Sequence, residues 1–124
     1  MTITKPLIAI SDCSNSLPGN CDRALEGHGY RIVNIPDKPK LLSLLDALLP
    51  DLIVTDIHSP SMDGLELLEE IKTCCRTSGI PVVVISDHPG LRREAMRLGA
   101  ESFLVRPFGA NEFLKTAESA MTGS

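Results

Sequence analysis

Five short stretches of the 124-residue chain, at 7–10, 31–35, 52–57, 82–85 and 102–105, are apolar, rich in Val and Ile, and bounded by Pro, Gly, Asp or Ser. Such runs predict β-strands. Three of them are apolar on consecutive rather than alternate positions, which predicts burial on both faces of a sheet covered by helices on each side. Between the strands the period lengthens to that of a helix. Leu41, Leu42, Leu44, Leu45, Leu48 and Leu49 form one stripe, closed by Pro50, and Leu65, Leu68, Ile71 and Cys75 form another, both expected to face inward. Helices are also predicted over 91–98, closed by Gly99, and over 111–121, with Phe113, Leu114, Ala117 and Met121 on one face. A shorter one, over 17–26, carries Pro18-Gly19 in its opening turn. Asp63, followed three residues later by Glu66, reads as an N-cap with its capping-box partner.

The resulting order is βαβαβαβαβα, and right-handed crossovers then give an α/β fold built on a doubly wound, five-stranded parallel sheet with five helices. At this length the whole chain, 1–124, is expected to form one domain around one core.

Composition narrows the function classes. The formal charge is -4 and the pI about 5.3, and the basic cluster Arg92, Arg93 and Arg97 reads as a solvated helix face rather than a nucleic-acid footprint. No apolar run approaches the roughly 18 residues of a membrane span, and residues 2–11 lack the pattern of a signal peptide. A cytoplasmic protein without direct nucleic-acid or membrane contact is expected. The cysteines at 13, 21, 74 and 75 have no CxxC spacing and read as reduced structural thiols.

In a doubly wound sheet, ligands bind beyond the carboxyl ends of the strands. The residues falling there are Ser11 and Asp12, Asp56 and His58, Ser86, Asp87 and His88, and Arg106-Pro107. Carboxylates, a hydroxyl and a cation at one edge suit a hard divalent cation and a phosphoryl group, and an aspartate can itself be the nucleophile, forming an aspartyl phosphate. Each residue also has a plainer reading. Asp56 can be a strand-end turn residue, Asp12 the start of the Ser14-Asn15-Ser16 turn, Ser86 a helix-entry residue, Phe103 core packing, Arg106 a solvated cation, and His28, His58 and His88 exposed loop residues.

The pattern formed by Asp12, by Asp56 with Pro60-x-Met62-Asp63-Gly64, by Ser86 after "IPVVVI", and by Phe103 three residues before Arg106-Pro107-Phe108 resembles the receiver domain of bacterial response regulators. The resemblance spans nearly the whole chain. It implies a flavodoxin-like sheet of order 2-1-3-4-5 and a phosphorelay module that takes a phosphoryl group on Asp56. It further implies that Asp12, Asp56 and the backbone carbonyl of His58 bind Mg²⁺, that Ser86 bonds the phosphoryl group, and that Arg106 supplies the cation. Phe103 would be the aromatic whose rotamer follows Ser86, and the bond preceding Pro107 would be cis. The implied partners are a sensor histidine kinase or phosphotransfer protein and a downstream effector, the module being a switch rather than an enzyme and a monomer or weak homodimer.

Three departures from the family pattern accompany the match. Ser11 stands where the family usually has an acid, removing one formal charge and predicting weaker Mg²⁺ affinity. Arg106 replaces a lysine, exchanging a compact ammonium for a planar fork. Asp87 stands where a small residue is usual. Two unit charges about 4 Å apart repel by roughly 4 kcal/mol at an effective dielectric of 20, so an inward Asp87 opposes phosphorylation unless a cation bridges it. It can equally swing to solvent, or stand in for the acid missing at Ser11. The segment from Ser86 to Gly99 also looks about two residues short of the family's usual run. A pseudo-receiver acting only as a protein-interaction module is the alternative these departures raise. A flavodoxin-like FMN binder has little to stack on the ring, with 3% aromatic residues and no Trp, and an aspartyl-phosphate hydrolase would want an acid where His58 stands.

Overall fold

The structure, a computed structural model, describes residues 6–11, 19–35, 38–57, 62–74, 76–106 and 108–122. Strands β1 (Leu7–Ser11), β2 (Arg31–Asn34), β3 (Leu52–Ile57), β4 (Val82–Ser86) and β5 (Ser102–Val105) alternate with helices α1 (Gly19–Gly27), α2 (Lys38–Leu48), α3 (Met62–Thr73), α4 (Arg92–Arg97) and α5 (Ala110–Thr122). The strands pair in parallel in the order β2-β1-β3-β4-β5, the doubly wound arrangement expected from the sequence.

Alternation along the strands sorts the core into two layers. Ala9, Ile53, Val82, Val84 and Phe103 face Leu45 of α2, Leu65, Leu68 and Ile71 of α3, and Ala95 of α4. The residues between them, Ile8, Ile10, Leu52, Val54, Val83, Ile85 and Leu104, face Leu25 of α1 and Phe113, Leu114, Ala117 and Ala120 of α5. Consecutive apolar positions in β1, β3 and β4 are therefore each used: the first layer takes the odd residues of β1 and β3 and the even ones of β4, and the second takes the residues between them. Among the described residues no helix is long and apolar enough to cross a membrane.

Three local expectations need correction. Leu44, Leu48 and Leu49 are exposed, and of the α2 leucines with described side chains Leu45 is the one buried. A stripe this wide exceeds the line along which the helix meets the sheet, so Leu45 is covered while Leu44, Leu48 and Leu49 are left to solvent. Leu49 follows the helix with φ 46°, taking the left-handed cap conformation usually left to glycine, and its N–H reaches the Leu45 carbonyl at 2.8 Å.

The fourth helix is shorter than expected. A 3-10 turn, Pro89–Leu91, precedes α4, because Pro89 has no N–H and opens a turn more readily than it continues one. Helix α4 stops at Gly99, whose φ is +110° and whose position would bring a Cβ to 2.9 Å from Cγ of Lys72. Lys72 is itself held there, its ammonium donating to the carbonyls of Ser78 and Ile80 at 3.2 and 2.7 Å. Helix α3 starts at Met62, one residue before the expected N-cap Asp63, within the usual latitude of helix ends.

Candidate functional site

The carboxyl ends of the five parallel strands lie on one edge, and the order reverses between β1 and β3, whose ends carry Ser11 and Asp56. Hydrogen-bonded register puts Ser11 opposite Thr55 and Asp56 opposite Ile85, with Ile57 opposite Ser86. Asp56, Ser11 and Ser86 are thus drawn to the switch point by strand pairing alone, as the sequence predicts. Arg106 follows β5 directly, and its N–H donates to the Ser86 carbonyl at 3.0 Å, which fixes where the arginine leaves the sheet.

Asp56 is buried, 2% exposed, and its Oδ2 accepts a hydrogen bond from Nη2 of Arg106 at 3.0 Å. The arginine side chain is 15% exposed, so the pair sits at the mouth of the site rather than in bulk water. Its other arm goes elsewhere: Nη1 donates to Oδ1 of Asp87 at 3.3 Å, and Asp87 is 56% exposed. Neither plain alternative for these residues holds. Arg106 is not a solvated cation, and Asp87 neither faces Asp56 unshielded nor stands free in solvent, because one guanidinium spans both carboxylates.

Ser86 is fully buried, and its Oγ accepts the N–H of His88 at 3.0 Å in a tight side-chain turn. That bond uses a lone pair, so the hydroxyl proton is still available for donation. Phe103 is buried opposite Val84 in β5, two residues along the strand from Val105, which pairs with Ser86. Arg92 at the start of α4 lies over its ring, 5.3 Å from the centroid. One member of the basic cluster, exposed as expected, thus also covers a core aromatic. His28 is exposed and His88 partly so.

Asp12, His58, Pro60 and Pro107 lie outside the described residues, as does Cys75. Metal-binding chemistry can be tested on what remains. The Ser11 hydroxyl is buried with no hydrogen-bond partner among the described residues, as is Thr55 Oγ1 beside it. A carboxylate and an unpartnered hydroxyl at neighbouring strand ends are hard oxygen donors, and they fit Mg²⁺ better than a softer metal. Among the described residues no three His, Cys, Asp or Glu side chains cluster as a metal site. A separate cavity of about 540 Å³, lined by Ser43, Asp46, Glu70, Thr73, Cys74 and Thr77, lies between α2 and the end of α3, away from Asp56. The exposed Cys74 thiol there is lowered in pKa, first by the Arg76 backbone N–H and then by the Thr77 hydroxyl.

Two features of this edge were not readable in advance. The Asp87–Arg106 contact joins residues 19 apart through the placement of two loops, and the Arg92–Phe103 contact depends on where the 3-10 turn sets α4. The available signal was compositional: an unusual acid and an unusual arginine occur together in one otherwise matching pattern.

Over residues 8–118 the chain matches the family model described as the response regulator receiver domain, and it belongs to that family. It is 30% identical over 118 residues to the DNA-binding transcriptional regulator NtrC of Escherichia coli, a match covering 94% of this chain and 25% of that protein. Against the transcriptional regulatory protein FixJ of Bradyrhizobium diazoefficiens it is 30% identical over 120 residues, covering 95% of this chain and 58% of the other. The chain therefore spans a quarter of the one relative and somewhat over half of the other. Among solved structures, NtrX from Brucella abortus superposes with a TM-score of 0.82 at 28% identity, covering 97% of this chain and 27% of that one. A response regulator from Thermotoga maritima superposes with a TM-score of 0.84 at 19% identity, covering 96% and 99%.

Proposed function

We propose that this receiver domain is a phosphorylatable switch that accepts one phosphoryl group on Asp56. The observation that carries the reading is a buried carboxylate at the β1/β3 switch point with a guanidinium 3.0 Å away. In the transfer, a carboxylate oxygen of Asp56 attacks phosphorus and forms the P–O bond of an acyl phosphate. The P–N bond of a phosphohistidine donor breaks, and the departing imidazole nitrogen keeps the electron pair and is protonated from solvent. Positioning and charge neutralisation are most of what such a transfer asks of a protein. Arg106 opposes the charge gathering on the equatorial oxygens, and Ser86 has a hydroxyl proton to donate to one of them.

Mg²⁺ is the cofactor the donor set suits: Asp56, with Asp12 and the His58 carbonyl, would hold it, Ser11 could hold one of its waters, and the ion would supply neutralisation of phosphoryl charge. Ser11 in place of an acid makes that affinity weaker than in a site with one more carboxylate. The phosphoryl donor is a sensor histidine kinase or phosphotransfer protein, and the signal passes to an effector protein through α4, β5 and α5. The module is cytoplasmic and does not itself act as an enzyme. Mass measurement of the intact protein after treatment with Mg²⁺ and a small phosphodonor tests the assignment: wild type gains one phosphoryl group and Asp56→Asn gains none.

A second reading, a pseudo-receiver that binds its partner without phosphorylation, draws on the Arg106 fork being engaged by two carboxylates. An intact protein that takes up no phosphoryl group and shows no response to beryllofluoride would favour it.

A further inference from the structure

We infer that Asp87 competes with the phosphoryl group for Arg106: it occupies one arm of the fork until a phosphoryl group on Asp56 displaces it. This rests on the reading of Asp56 as the phosphoacceptor. The guanidinium is planar, with its donors fixed in a fork that best matches two oxygens of a single anion. Here it is split between two anions. Nη2 meets the buried Asp56 at 3.0 Å, while Nη1 meets Asp87 at 3.3 Å on a side chain more than half exposed.

The two arms are therefore unequal. An ion pair with a solvated carboxylate is weakly held, since water replaces it on release and salt screens it. A phosphoryl group on Asp56 brings about two negative charges and three acceptor oxygens beside Nη2, so both arms of the fork can close on it. Asp87 then gives way without leaving a buried charge behind. A lysine at 106 would offer a point charge with no second arm in a fixed plane, so the arrangement depends on the arginine and the acid occurring together.

Asp87 is the central residue of the Ser86–His88 turn, just ahead of the 3-10 turn Pro89–Leu91.

The test is a titration of wild type, Asp87→Asn and Asp87→Glu with beryllofluoride in the presence of Mg²⁺, followed by calorimetry and by the carboxyl ¹³C signal of Asp87. Asp87→Asn should bind about two- to fivefold more tightly than wild type, the factor an exposed ion pair is worth, and Asp87→Glu should bind as wild type does. The Asp87 carboxyl signal of the wild type should shift on saturation as its partner leaves. Equal affinity in wild type and Asp87→Asn, weaker binding in Asp87→Asn, or a stationary Asp87 signal would overturn this role while leaving Asp56 as acceptor. Failure of wild type and Asp87→Asn alike to bind beryllofluoride would overturn both.

Discussion

Arg106 donates to the buried carboxylate of Asp56 at 3.0 Å across 50 residues of sequence, joining the ends of β3 and β5. A buried carboxylate is expensive unless it is paired and hydrogen-bonded, so the arginine has a structural role apart from any chemistry.

Replacing Arg106 with Met should lower stability by about 1.5–3 kcal/mol, the range for a hydrogen bond to a charged group whose partner stays buried. Combining it with Asp56→Asn should cost less than the sum of the two single changes, because the uncompensated charge is gone. Urea denaturation of the four proteins measures this. Strict additivity would mean that the pair contributes no coupling.

Thr77 is a further buried polar group with a defined task. Its hydroxyl donates to the Ile71 carbonyl at 2.7 Å, closing the end of α3 before β4. Thr77→Val keeps the shape and removes the donor, and should destabilise by about 1–3 kcal/mol by leaving a buried carbonyl unpaired. Thermal unfolding provides the readout, with Thr77→Ser, which keeps the hydroxyl donor, expected to avoid much of the loss.

Gly99 ends α4 with φ +110° and Lys72 Cγ 2.9 Å from where a Cβ would be. Gly99→Ala should therefore cost more than about 1 kcal/mol, since both the backbone and a side chain anchored on two carbonyls oppose it. A variant as stable as wild type in the same unfolding assay would contradict the cap geometry.

Tyr30 donates its hydroxyl to Glu118 at 2.9 Å, tying the residue just before β2 to α5. Burial first, then the hydrogen bond and charge of Glu118, raise the phenol above its ordinary pKa of 10.0. A raised folded value means that the protonated phenol is favoured in the native state. Its contribution is thus complete below pH 10.0 and lost as pH rises through the elevated value. Tyr30→Phe should show a flatter fall in melting temperature than wild type over that interval. Parallel curves would show that the contact carries no linked proton.

Much of the fold was legible because strand order and burial leave repeated marks in a sequence. Residues 52–57 and 102–105 were delimited as the structure has them, and the two-sided burial of β1, β3 and β4 follows from their unbroken apolar runs. Helix α2 begins at Lys38, earlier than its leucine stripe suggests, because Pro39 is tolerated in a first turn where its missing N–H is not needed. The same stripe misled about burial, since Leu44, Leu48 and Leu49 match the period and yet are exposed. Periodicity says which residues share a face but not how much of that face a neighbour covers.

At the candidate site the types and positions of Asp56, Ser86 and Arg106 were legible, each falling at a strand end. Their partnerships were not. Whether Asp87 repels, swings out or is bridged depends on a few ångströms between the loops after β4 and β5, and on the reach of an arginine in place of a lysine. The Ser86–His88 turn is hidden for the same reason: serine at a strand end fits many turns, and only the folded loop decides which N–H its oxygen accepts.

The central claim is that Asp56 receives a phosphoryl group in this acidic, arginine-bridged site. Intact-mass measurement of wild type and Asp56→Asn after incubation with Mg²⁺ and a small phosphodonor tests it most directly. A single phosphoryl addition to the wild type and none to the variant is the expected result. Equal labelling of both proteins, or labelling of neither, would contradict it.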